Sequence, residues 1–151
     1  MSPRIDVDRV SGAGGIPSAS DIRRWVRATL PEARADAELC IRIVDEAEIV
    51  ELNARYRDRR EPTNVLSFTA DIPPHLGIPL LGDVVICAPV VNREALEQHK
   101  DTRAHWAHMV VHGTLHLLGF DHQCEEEAAN MESLETRILA ALDFPDPYET
   151  H

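Results

Sequence analysis

Long apolar runs are missing from this chain: none approaches the roughly 20 residues that a membrane span requires, so the sequence reads as that of a soluble protein. An uninterrupted apolar segment near Met1 is missing as well. Asp6 and Asp8 fall where a signal peptide would carry it, which argues against export. There is no CxxC pair, and three cysteines, Cys40, Cys87 and Cys124, leave one unpaired, which suits a reducing compartment better than a disulfide framework. The expected location is the cytoplasm. Excess positive charge is absent too: a formal net charge of -11 excludes a protein that coats nucleic acid through a broad basic surface, and any RNA contact must be local. No internal repeat is visible. The 151 residues can bury one continuous core but are short for two, so a single domain over residues 1–151 with one active site is expected.

What is present alternates between strand and helix signals. Arg4 to Val10 reads as a strand, followed by a Gly-rich turn from Ser11 to Gly15. Ser20 and Asp21 offer capping oxygens for a helix whose apolar face is Ile22, Trp25, Val26 and Leu30, and Pro31 stops it. Trp25 reads as core. Glu38 to Val44 is a second strand with Leu39, Ile41 and Ile43 on one side, and Asp45 with Glu48 forms a D-x-x-E capping signature for a helix through about Tyr56. Two further strands, Asn64 to Thr69 and Asp83 to Ala88, flank a Pro- and Gly-containing loop that can border a site. Cys40 and Cys87 fall in strands and read as core. Helices follow over Val91 to His99, Arg103 to about Leu118 and Glu125 to Leu142, with a loosely ordered tail from Phe144 to His151. The expected fold is α+β: a small mixed β-sheet of about four strands packed with about five helices, the metal site at the end of a central helix.

That metal site is read from His112-Gly113-Thr114-Leu115-His116-Leu117-Leu118-Gly119-Phe120-Asp121-His122. His112 and His116, four residues apart on a helix, rise from one face and can reach one ion. Gly119 can take a positive φ, end the helix and return the chain so that His122 completes the set. Three imidazoles with an open fourth position suit catalytic zinc, one per chain, although imidazole also accepts other first-row metals. His108 is about 12 Å along the axis from His116, too far for both to bind one ion, so His105 and His108 read as supporting or packing groups. Cys124 is a rival ligand that the three histidines make unnecessary.

The spacing H-x-x-x-H-x-x-G-x-x-H is that of the metzincin proteases, but the glutamate those enzymes place after the first histidine as general base is missing; Gly113 stands there. Asp83 and Asp121 remain as candidate bases or as carboxylates that orient a histidine. Upstream, Arg55, Arg57, Arg59 and Arg60 concentrate positive charge at one helix-to-strand connection. Guanidinium forks match phosphate oxygens; the rival reading is a solvated face paired with Asp58 and Glu61.

Together these segments resemble the YbeY family of metal-dependent endoribonucleases. The family's H-G-x-L-H-L-x-G-[YF]-D-H signature is found at His112 to His122, and its N-x-x-[YW]-R…P-T-[DN]-V-L-S-F segment at Asn53 to Phe68. Leu81-Gly82-Asp83 and Asp146-Pro147-Tyr148 fit as well. The resemblance implies a zinc-dependent, single-strand-specific endoribonuclease acting in ribosomal RNA processing, at the small-subunit rRNA 3′ end, and in ribosome quality control. It implies His112, His116 and His122 as metal ligands and Arg57 as the catalytic arginine, with Arg55, Arg59 and Arg60 as further RNA contacts. Expected partners are single-stranded RNA, ribosomal RNA and the small ribosomal subunit or its assembly factors, with neither DNA nor a membrane. Rival readings are a metzincin-like metallopeptidase and a non-catalytic zinc-containing ribosome assembly factor. Phe120 departs from the common tyrosine, and Arg59-Arg60-Glu61 departs from the usual loop sequence.

Overall fold

Alternating apolar residues and their flanking caps build a four-stranded mixed sheet and five α-helices, described by a computed structural model for residues 2–121 and 123–149, the side chain of Pro74 excepted. The elements are β1 (Arg4–Arg9), α1 (Ala19–Thr29), β2 (Glu38–Val44), α2 (Glu46–Arg57), β3 (Val65–Thr69), β4 (Leu80–Cys87), α3 (Ala88–Glu97), α4 (Thr102–Leu117) and α5 (Glu125–Ala141). Strand order is β1-β2-β4-β3, with β1, β2 and β4 parallel and β3 antiparallel to β4. The α+β class expected from the sequence is what forms.

Period-two alternation gives the sheet two unlike faces. Leu39, Ile41, Ile43, Val84 and Ile86 join Ile22, Trp25, Val26, Trp106 and Val110 in the main core, beneath α1 and α4. On the other face, α2 lays Ile49 over Val85 and Leu66 in a smaller cluster. Helix α4 is buried along most of its length, as its nearly continuous apolar sequence requires, and carries His112 and His116 between sheet and α5.

Gly113 sets how closely α4 approaches the sheet. A Cβ there would lie 2.5 Å from Val84 Cγ1 and 3.2 Å from Val65 Cγ2, so no side chain fits without displacing core valines. Ser67 Oγ donates to the Gly113 carbonyl at 2.9 Å, fastening β3 to the same turn.

Local signals misplace some boundaries. The cap of α1 is Ser18, whose hydroxyl accepts from Asp21 N, so Ser20 and Asp21 lie inside the first turn. Asp45 does stand at the start of α2, but no capping box forms: Ser11 Oγ donates to its carboxylate, and Glu48 pairs with Arg42 at 2.7 Å. Helix α3 begins directly after β4, with Pro89 in its first turn, where the missing N–H costs nothing. The segment after α5 is docked through Glu149 rather than loose: Phe144 packs edge-on against Trp25 and Lys100 Nζ donates to the Pro147 carbonyl at 2.9 Å. Thr150 and His151 lie outside the described residues.

Candidate active site

Helix α4 starts at Asp101, whose carboxylate accepts from Ala104 N, and carries His105, His108, His112 and His116 at spacings of three and four, which places them along one side. His112 Nε2 and His116 Nε2 approach to 3.2 Å. Two nitrogens bound tetrahedrally to one zinc ion at about 2.05 Å would lie roughly 3.3 Å apart, so the pair has the spacing that one ion needs. The helix then ends as its glycine allows. Gly119 has φ +101°, its N–H donates to the His116 carbonyl, and Phe120 N–H donates to the Leu115 carbonyl, the two reversed hydrogen bonds of a Schellman turn. His122 lies outside the described residues; its neighbours Asp121 and Gln123 line the same cleft as His112 and His116.

The cleft encloses about 770 Å³ between the end of α4 and strand β3, with Arg57, Asn64, Ser67 and Phe120 among its walls. Arg57 is the last residue of α2, and the chain turns away from it through Asp58 at φ 58°. Its Nη2 donates to the Ser67 carbonyl at 3.1 Å, and its guanidinium lies 5.6 Å from the Phe68 ring centroid. Asn53 folds the adjoining loop, donating from Nδ2 to the Glu61 carbonyl at 2.9 Å. The other three arginines are exposed and do not line the cleft: Arg55 pairs with Glu51 and Arg59 with Glu61. Asp83 pairs in register with Phe68 and borders a groove with Cys40, Arg42 and Tyr56 on the α2 side of the sheet, opposite the neighbouring Val84 that meets α4. Of the two carboxylates considered as bases, Asp121 lies at the cleft and Asp83 does not. Cys124 is exposed at the start of α5, outside the cleft lining.

Behind His112 lies a buried polar cluster that the sequence did not single out. Glu135 occupies the apolar stripe of α5 between Met131 and Leu139 and is 1% exposed. It faces His112 Nδ1 at 3.3 Å, Tyr148 Oη at 3.0 and 3.1 Å, and His108 Nε2 in direct hydrogen-bond contact. Burial opposes a charge on Glu135, yet hydrogen bonds from His108 and His112 outweigh it and hold the carboxyl down at about 2. Burial pushes His108 below the ordinary imidazole value despite Glu135 beside it, and burial together with the Glu135 charge pushes the Tyr148 phenol up. An ionised carboxylate only accepts, so both imidazoles and the phenol donate to it. Farther along the same side, His105 Nε2 meets Glu94 Oε1 at 3.0 Å, and Asn64 Nδ2 donates to that carboxylate at 3.1 Å.

His108, His112 and Glu135 also form a group that could hold a metal ion, with one ligand atom from each lying within 4.8 Å of the others. His112 therefore faces two candidate centres, Nε2 toward His116 and Nδ1 toward Glu135. In the described arrangement the His108–Glu135 contact is closed by a direct hydrogen bond, whereas the His112–His116 pair borders the open cleft. The signal for Glu135 was a charged residue in phase with Met131 and Leu139, a place where charge is costly unless it is used.

The model of the endoribonuclease YbeY family matches residues 16–143. The chain belongs to that family. Among curated proteins it is similar to an endoribonuclease YbeY from Nitrosococcus oceani, 52% identical over 99% of both chains, and to one from Cellvibrio japonicus, 53% identical over 97% of this chain and 83% of that one. The solution structure of a Thermotoga maritima protein shares the fold, with a TM-score of 0.56 and 23% identity over 96% of this chain and 99% of that one. As a member of the YbeY family the chain is an endoribonuclease, an enzyme that breaks phosphodiester bonds within RNA.

Proposed function

We propose that this chain is a single-domain, cytoplasmic, zinc-dependent endoribonuclease for single-stranded RNA, acting at the 3′ end of small-subunit ribosomal RNA and in ribosome quality control. One zinc ion per chain is held by His112, His116 and His122, and Arg57 is the catalytic arginine. The observation that carries this reading is the 3.2 Å approach of two imidazole nitrogens at the wall of a cleft that Arg57 shares. When bound, zinc supplies Lewis acidity toward a phosphoryl oxygen and lowers the pKa of a coordinated water.

The chain's own groups supply the rest. The Ser67 carbonyl and the Phe68 ring fix the Arg57 guanidinium, which leaves further N–H donors for the non-bridging oxygens of a scissile phosphate, where charge grows during attack. Asp121 is the cleft carboxylate able to take a proton from the attacking water. Phe120, partly exposed beside it, offers an aromatic face to an unstacked base, which favours single strands over duplex. Arg55, Arg59 and Arg60 add charge beyond the cleft and contact flanking phosphates. A metallopeptidase reading lacks its general base, and the crowding at Gly113 leaves no room for a glutamate there.

The test is cleavage of single-stranded RNA by zinc-loaded protein, with an unfolded protein substrate in parallel. Arg57→Ala is expected to retain zinc and lose cleavage by about 10²–10³-fold, the scale of removing one donor to a developing oxyanion. Cells carrying the same variant should accumulate small-subunit rRNA with an unprocessed 3′ end. Cleavage by Arg57→Ala at the parent rate, or cleavage of the protein substrate instead, would overturn the proposal.

A further inference from the structure

We propose that Glu135 is a positioning residue for the metal centre, turning the His112 ring so that Nε2 meets His116, and that the segment after α5 is built into that centre through Tyr148. The inference rests on zinc being held by the histidines of α4.

The geometry gives three reasons. A buried carboxylate in the stripe of Met131 and Leu139 is costly to desolvate, and a fully apolar set of residues at this cluster would pack at least as well, so burial alone does not account for the acid there. Its partner at 3.3 Å is His112 Nδ1, the nitrogen on the far side of the ring from His116. A carboxylate there requires the proton on Nδ1, which puts the lone pair on Nε2 and opposes the ring flip that would put Cδ2 in place of Nδ1 and Cε1 in place of Nε2. Glu135 is in turn held from two elements. His108 Nε2 on α4 and Tyr148 Oη both meet it, and these two atoms lie 3.3 Å from each other.

Tyr148 is not an incidental neighbour. Its backbone N–H donates to Asp146 Oδ1 at 2.9 Å, Lys100 Nζ holds the Pro147 carbonyl, and Phe144 N–H donates to the Leu139 carbonyl at 2.8 Å. The segment is pinned on both sides of Pro145, and the phenol donates to a buried carboxylate that touches a cleft histidine. The chain from Tyr148 through Glu135 and His112 to the cleft is thus continuous, formed by α4, α5 and the segment that follows.

The test measures Zn²⁺ affinity of the full chain by competition with a chromophoric chelator, and the visible absorption of the Co²⁺ form. Glu135→Met keeps the volume and removes the oxygens; it deprives His108, His112 and Tyr148 of their acceptor, so the thermal unfolding temperature of the metal-free protein should fall. In protein shown to be folded, Zn²⁺ affinity should fall about 10–100-fold and the Co²⁺ bands should shift. Tyr148→Phe should move both readouts the same way by less, and His116→Ala should abolish binding. Parent affinity and parent Co²⁺ bands in folded Glu135→Met would overturn the positioning role while leaving the zinc site intact. Should Glu135→Met not fold, Tyr148→Phe decides by the same criterion. If Glu135→Met and His108→Phe abolish binding while His116→Ala retains it, the ion is held by Glu135 itself, and both this inference and the proposed zinc site fall.

Discussion

At position 113 the missing side chain has a mechanical cause. Val84 and Val65 occupy the space a Cβ would need, so the residue following His112 is fixed by helix–sheet packing and cannot be the glutamate of a peptidase. Gly113→Ala should destabilise the fold by about 1–3 kcal/mol through overpacking, read as a lower urea midpoint with unchanged slope. An unshifted midpoint would mean that the valines yield freely. That His112 and His116 share one side of α4 was legible because residues four apart on a helix lie on the same face. Arg57 was not separable from Arg55, Arg59 and Arg60 by local charge; the family motif singled it out, and the Ser67 carbonyl and Phe68 ring show what holds it. Glu135 was overlooked because one acid in an amphipathic helix looks like any other until its phase with Met131 and Leu139 is counted.

Among the elements, α4 is the part the sequence described best, and its end matters most. Gly119 at φ +101° lets the Schellman turn close and brings Phe120 and Asp121 to the cleft. Gly119→Ala places a Cβ in left-handed backbone at a cost of about 1–2 kcal/mol. Because nothing lies within 4 Å of that Cβ, the loss is conformational rather than steric. Thermal unfolding of the metal-free variant should show that loss, and Zn²⁺ affinity should fall with it; a variant equal to the parent in both would contradict the role given to the turn. Boundaries elsewhere were less legible for a common reason: side chains found better partners far away in sequence. Asp45 accepts from Ser11 instead of capping α2, and Glu48 serves Arg42 on β2. The residues from Phe144 onward looked like a loosely ordered, Pro-containing tail, and only the three-dimensional position of Trp25, Lys100 and Glu135 makes those through Glu149 a docked segment.

For the whole molecule, a net charge of -11 and a cleft with Arg57 in its wall fit an enzyme that takes hold of RNA over a short stretch. The sheet supplies the platform, α4 the two imidazoles, α2 the guanidinium, and α5 with its following segment the support behind His112. Among the described residues, His112 faces His116 through Nε2 and Glu135 through Nδ1, so there are two candidate centres for a metal ion. The most direct measurement is therefore an anomalous difference map at the zinc absorption edge from crystals grown with Zn²⁺. A single peak about 2.0–2.1 Å from Nε2 of both His112 and His116, with Glu135 still hydrogen-bonded to Nδ1, is the expected result. A peak among His108, His112 Nδ1 and Glu135, or no peak on α4 at all, would contradict it.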